Sequence, residues 1–197
     1  MDFTKLLSIA LGAILVENFV LVKLLGIGPF LGASKKISTS LGMGAAVTFV
    51  MGLSSAVAWT FNTYLLVPLR LEYLRTVVFV LIIAVLVQLV EMFLKKVKPT
   101  LHSALGIYLP LVTTNCAVLG IAILVTNTDT SYTFGEAVTY GITAAIGFTL
   151  ALVLFHSIRE RLQFSETPQS FEGLPIALVS AALLAMAFMG FSGLKLF

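Results

Sequence analysis

The sequence predicts an all-α integral membrane protein of six transmembrane helices in a 3+3 inverted repeat, with spans one and four broken into half-helices. Three observations carry this reading. Hydrophobic residues make up 59% of the 197 residues and charged residues 11%, at a mean hydropathy of +1.07, which is too apolar for a soluble surface. Six apolar segments, roughly residues 3–25, 41–60, 73–94, 101–125, 134–155 and 174–194, each approach the ~20 residues that cross a bilayer. Two of them, the first and the fourth, are over-long and interrupted at corresponding places, and such pairs point to a site at a repeat interface. The chain is one membrane domain, 1–197, with halves of about 1–98 and 99–197.

The first segment carries Glu17, Asn18 and Lys23, then the breakers Gly26, Gly28, Pro29 and Gly32. Its apolar run is longer than the ~7–15 residues of a signal peptide and lacks a basic start, so it reads as a span. The second and fifth hold small residues at helical spacing, Gly42 with Ala46 and Gly141 with Ala145, which let helices approach closely. In the third, Gln88 and Glu91 are polar, and Glu91 stands one turn before Lys95 and can pair with it. The fourth is interrupted by Gly106, Pro110 and Gly120 and contains Thr113, Thr114, Asn115 and Cys116. Non-helical backbone at membrane depth needs protein or a water-lined cavity to satisfy it, so this stretch is expected to face an internal site.

Charge sets the expected topology. One set of connections holds Lys35, Lys36, Lys95, Lys96, Lys98, Arg159 and Arg161, and the other holds Lys5, Arg70, Arg75 and Lys195 with Asp129 and Glu136. The positive-inside rule makes the lysine-rich loops cytoplasmic and both termini external, in a bacterial inner membrane. The net charge of +3 speaks to lipid headgroups; no basic, aromatic-interleaved surface suggests nucleic acid.

Each chemically suggestive residue has a plain alternative. Cys116, the only cysteine, is a metal ligand or a small packing residue. Its neighbours Thr114 and Asn115, with Asn18 of the first span, can donate hydrogen bonds that tune a bound metal. Glu17 reads equally as a cation-pathway group or as a hydrogen-bonded packing residue, and has no partner at helical spacing. Lys23 can snorkel to headgroups. His102 and His156 stand at span ends without zinc-site spacing. No phosphate loop or dinucleotide fingerprint is present, so direct nicotinamide binding is not expected.

Several strings resemble the RnfA/NqrE family: Glu17-Asn18-Phe19-Val20-Leu21, Leu25-Gly26-Ile27-Gly28-Pro29-Phe30-Leu31-Gly32, Leu109-Pro110-Leu111, Asn115-Cys116-Ala117-Val118-Leu119-Gly120, Ile158-Arg159-Glu160-Arg161 and Met189-Gly190-Phe191-Ser192-Gly193. The likeness covers nearly the whole chain, and the Thr-Thr-Asn-Cys form at 113–116 is nearer the Rnf branch than the Nqr branch. It implies a membrane subunit of an ion-translocating (Na+ or H+) ferredoxin:NAD oxidoreductase complex. With a homologous subunit of opposite orientation, RnfE in the Rnf complex, it would form a transmembrane electron conduit around a [2Fe-2S] cluster. The alternatives are an NqrE-like subunit of a sodium-pumping NADH:quinone reductase, or an inverted-repeat secondary transporter. Cys116 matches the family's second-half ligand, but Gly28 stands where the first-half ligand cysteine falls. A substitute ligand, a deliberate replacement and a cluster-free protein all fit that departure.

Overall fold

A computed structural model describes residues 3–97, 109–127, 132–165 and 168–191, and their regular structure is all helical. Helix α1 (Phe3–Leu11) runs into a π-helical turn, Gly12–Val16. After an irregular stretch come α2 (Ile27–Ala33) and α3 (Ile37–Phe61), the latter continued by a π turn, Asn62–Leu66. Then follow α4 (Arg75–Val97), α5 (Leu109–Thr113), α6 (Cys116–Val125), α7 (Phe134–Leu162) and α8 (Leu174–Met189). His102 and Gly106 lie outside the described residues.

Three continuous helical stretches are long and apolar enough to cross a membrane, Ile37–Leu66, Glu72–Met92 and Phe134–Leu162. The apolar stretches Thr4–Val16, Leu111–Val125 and Leu174–Met189 are shorter, so continuous helices supply three of the six expected spans. The interruptions fall elsewhere than the glycines and prolines suggest. Gly28, Pro29 and Gly32 lie within α2, Pro110 within α5 and Gly120 within α6. Pro29 and Pro110 occupy first turns, where the missing N–H has no intrahelical role.

Two asparagines mark the actual breaks. Asn18 Oδ1 accepts the N–H groups of Val20 (3.1 Å) and Leu21 (3.2 Å), and Asn115 Oδ1 accepts that of Ala117 (3.0 Å). A short amide that captures the N–H two residues on competes with the helical ladder and fixes where it stops or restarts. The same geometry in both halves is local structural likeness between them.

Helices α3 and α7 form the centre. A Cβ at Gly44 would overlap Thr149 and one at Gly141 would overlap Ser55, so small residues set their separation. Gly141 is one of the residues expected in this role; on α3 the close approach falls at Gly44. Around the pair, Phe19, Phe30, Met43, Met51, Phe148 and Phe155 are fully buried. Helix α4 buries only the stripe Phe79, Ile83 and Val87, while Val77, Leu81, Val85 and Leu89 point outward. In a membrane protein, that outward face belongs in hydrocarbon.

Both ends of the helix pair carry polar ties. At one, Arg159 donates to the Leu31 carbonyl and to Ser34 Oγ, each at 2.9 Å, which brings the C-terminal part of α7 to the loop holding Lys35 and Lys36. At the other, Lys5 pairs with Glu136 in the first turn of α7.

Candidate functional site

The two breaks meet. Gly26, at the N-terminus of α2, has φ 81° and ψ 25°, a left-handed conformation that only glycine adopts without penalty. Space imposes the same choice: a Cβ there would lie 2.8 Å from Asn115 Oδ1 and 2.9 Å from Phe148 Cε2. With no side chain in the way, the Gly26 N–H donates to Cys116 Sγ at 2.9 Å. The start of one half-helix is therefore bonded to the first residue of the other.

Cys116 is exposed at the N-terminus of α6, next to its cap Asn115. Helix N-termini present unspent N–H groups and a partial positive charge, and an N–H aimed at sulfur is a contact that tunes a ligating thiolate. Asn115 is buried, and its Nδ2 has no hydrogen-bond partner. This unspent donor is in the residue preceding the thiol. Thr114 is exposed in the turn between α5 and α6.

Gly28 sits two residues beyond Gly26, exposed, in the helical backbone of α2. No heavy atom lies within 4 Å of where its Cβ would be. The fold therefore demands glycine at position 26 and makes no such demand at 28.

The remaining predicted residues are engaged elsewhere. Asn18 is fully buried, and its Nδ2 donates to the carbonyls of Ile14 (3.0 Å) and Gly147 (2.9 Å). With both donors and its oxygen spent on backbone, it ties the first break to α7. Glu17 does have partners, contrary to its spacing in the sequence. Lys23 Nζ lies 2.9 Å from Glu17 Oε2, and the Tyr140 hydroxyl donates to the same oxygen at 3.1 Å. The irregular backbone between residues 17 and 23 folds back, so this ion pair needs no helical spacing. Lys23 also lies 5.3 Å from the Phe19 ring centroid, a cation-π contact in place of simple snorkelling. Gly147 and Phe148, which receive Asn18 and wall Gly26, carry no recognisable signal in sequence. Arg159, which ties down the far end of α2, belongs to one of the quoted strings but showed no structural role there.

The donor set bounds what the site can hold. No group of three or more His, Cys, Asp or Glu converges among the described residues, and the chain has one cysteine. An exposed thiol with an N–H donor fits one corner of a thiolate-held cluster, and the other ligands must come from outside this chain.

Comparison with known proteins agrees with this architecture. The model of a family described as Rnf-Nqr subunit, membrane protein, matches residues 6–195. The chain is 57% identical to a subunit of the Na(+)-translocating ferredoxin:NAD(+) oxidoreductase complex of Acetobacterium woodii, over 97% of this chain and 98% of the relative. It is 54% identical to the corresponding subunit of the ion-translocating oxidoreductase complex of Serratia proteamaculans, over 98% of this chain and all of the relative. The counterpart in Edwardsiella ictaluri is 53% identical over the same shares.

Proposed function

The chain belongs to the Rnf-Nqr subunit family of membrane proteins, and from that premise we propose that it serves as the RnfA-type membrane subunit of an ion-translocating ferredoxin:NAD oxidoreductase. In this reading it lines part of an intramembrane electron conduit, and electron passage through the complex drives export of Na+ or H+. The observation that carries the proposal is the meeting of the two breaks at Cys116, in a chain related over its full length to proteins named as parts of such complexes. Nicotinamide and ferredoxin belong to other subunits.

Cys116 contributes one thiolate to a [2Fe-2S] cluster shared with a homologous, oppositely oriented membrane subunit of the RnfE kind. Where bound, the cluster supplies one-electron transfer. The residues of this chain hold and tune one corner: Gly26 directs its N–H at the sulfur, Asn115 sets the first turn of α6, and the unspent Asn115 amide stands next to the ligand in the chain. Gly28 contributes no ligand, so any cluster here lacks a thiolate that family members supply at that position.

The finer architecture belongs to the same proposal. Six crossings in a 3+3 inverted repeat, with cytoplasmic lysine-rich loops and external termini in the bacterial inner membrane, are supported by the charge asymmetry and by the matched asparagine breaks. The carrier reading rests on broken helices alone, and the NqrE-like reading has no observation in its favour.

Electron paramagnetic resonance of the purified, reduced complex tests the proposal. A cluster signal that is lost or altered in Cys116→Ser supports it; a signal identical in wild type and Cys116→Ser removes Cys116 from the conduit.

A further inference from the structure

The far end of α6 holds a second polar feature that the redox reading does not use. Asn62 stands where α3 passes into its π turn; it is 8% exposed, and its Oδ1 is buried with no hydrogen-bond partner. A buried amide oxygen left unpaired is costly, and single π turns inside helices frequently mark functional sites. Asn62 lines a cavity of about 200 Å³ together with Trp59, Thr63, Thr126, Asn127 and Tyr132.

The walls select the ligand by charge. Thr126 caps the C-terminus of α6 and spends its hydroxyl proton on the carbonyls of Ala122 (2.8 Å) and Ile123 (3.1 Å), which leaves oxygen lone pairs available. The C-terminal end of a helix carries the negative end of its dipole, which disfavours anions and favours cations. None of the lining residues is a carboxylate, the ligand that divalent cations recruit most readily. Burial, reinforced by nearby Glu17 and Glu136, raises the Tyr132 phenol above its ordinary pKa, so it remains neutral. What remains is a set of neutral oxygens at the carbonyl end of a half-helix, an arrangement that suits a singly charged hard cation.

We infer that this cavity is a binding site for a monovalent alkali cation of the Na+ class, with Asn62 Oδ1 and Thr126 Oγ1 as side-chain ligands. The cavity, about 200 Å³, also has room for several waters at ~30 Å³ each, so the ion keeps part of its hydration shell. The site lies at the opposite end of α6 from Cys116 and does not depend on the presence of a cluster.

Trp59, the only tryptophan of the chain, lines the cavity and donates its Nε1 hydrogen to the Tyr132 carbonyl at 2.7 Å. The difference in emission between the assembled wild-type complex and its Trp59→Phe variant therefore reports on the site. Titration with NaCl, at ionic strength held constant with choline chloride, is expected to give a saturable change that choline chloride alone does not. Asn62→Leu, which removes the oxygen at similar volume, should weaken the apparent affinity at least ~tenfold, and Asn62→Asp, which adds a negative charge, should tighten it by about as much. Cys116→Ser should leave the titration unchanged, which separates this site from the redox reading. The inference is overturned by an equal response to choline, by no response, or by Asn62→Leu titrating like wild type. Should Asn62→Leu fail to assemble, an unchanged affinity in Asn62→Asp overturns it equally.

Discussion

The backbone N–H of Gly26 donates to the sulfur of Cys116 at 2.9 Å, across 90 positions of chain. One bond thus joins the two interruptions and makes the position of the thiol depend on a residue with no side chain. Glycine is required there for two separate reasons, a left-handed backbone and the space taken by Asn115 and Phe148.

Gly26→Ala should therefore destabilise the protein by on the order of 2–4 kcal/mol, combining the left-handed penalty with overpacking. Gly28→Ala, in helical backbone with open space around its Cβ, should be neutral or slightly stabilising, by up to ~1 kcal/mol. Thermal unfolding of the purified complex measures both. Equal losses in the two variants would show that position 28 is constrained in a way this structure lacks.

Restoring the family's thiol is the companion experiment. Gly28→Cys meets no atom within 4 Å of its new Cβ, so the fold should accept it. Iron per complex and ferredoxin-dependent NAD reduction are both expected to rise, and both to fall in Cys116→Ser. If neither variant changes either quantity, Cys116 is a packing residue.

Asn18 holds the first break through four hydrogen bonds to backbone, two given and two received. Truncation to alanine leaves buried donors and acceptors unpaired at about 1–3 kcal/mol each. Asn18→Ala is expected to reduce the yield of assembled complex more than Glu17→Gln does. Glu17 is half-exposed, and its pair with Lys23 is worth ~1 kcal/mol or less. Immunoblotting of membranes for assembled complex ranks the two; the reverse order would move the structural role to Glu17.

Topology is tested by cysteine scanning in the Cys116→Ser background. A cysteine introduced by Lys96→Cys should resist an impermeant thiol reagent added outside intact cells and react once the membrane is opened. Reaction from outside would invert the assignment.

Membrane class, the apolar segments and the existence of two interrupted ones could be read from the sequence alone, because hydropathy and helix length are local properties of a chain in lipid. Cys116 and its neighbours stood out for the same reason, as polar groups where apolar ones are expected. The nature of the breaks was not local. Glycines and prolines that look like breakers are absorbed into α2, α5 and α6, while asparagine amides that capture backbone N–H groups make the actual interruptions. Tertiary structure alone decided which glycine is obligatory, by packing Gly26 against Asn115 and Phe148 from the second half. It likewise paired Glu17 with Lys23 and Tyr140, and left Asn62 Oδ1 without a partner. A polar side chain in a membrane protein must be satisfied by whatever the fold brings to it, and those partners lie far off in sequence or across an irregular turn that no periodicity encodes.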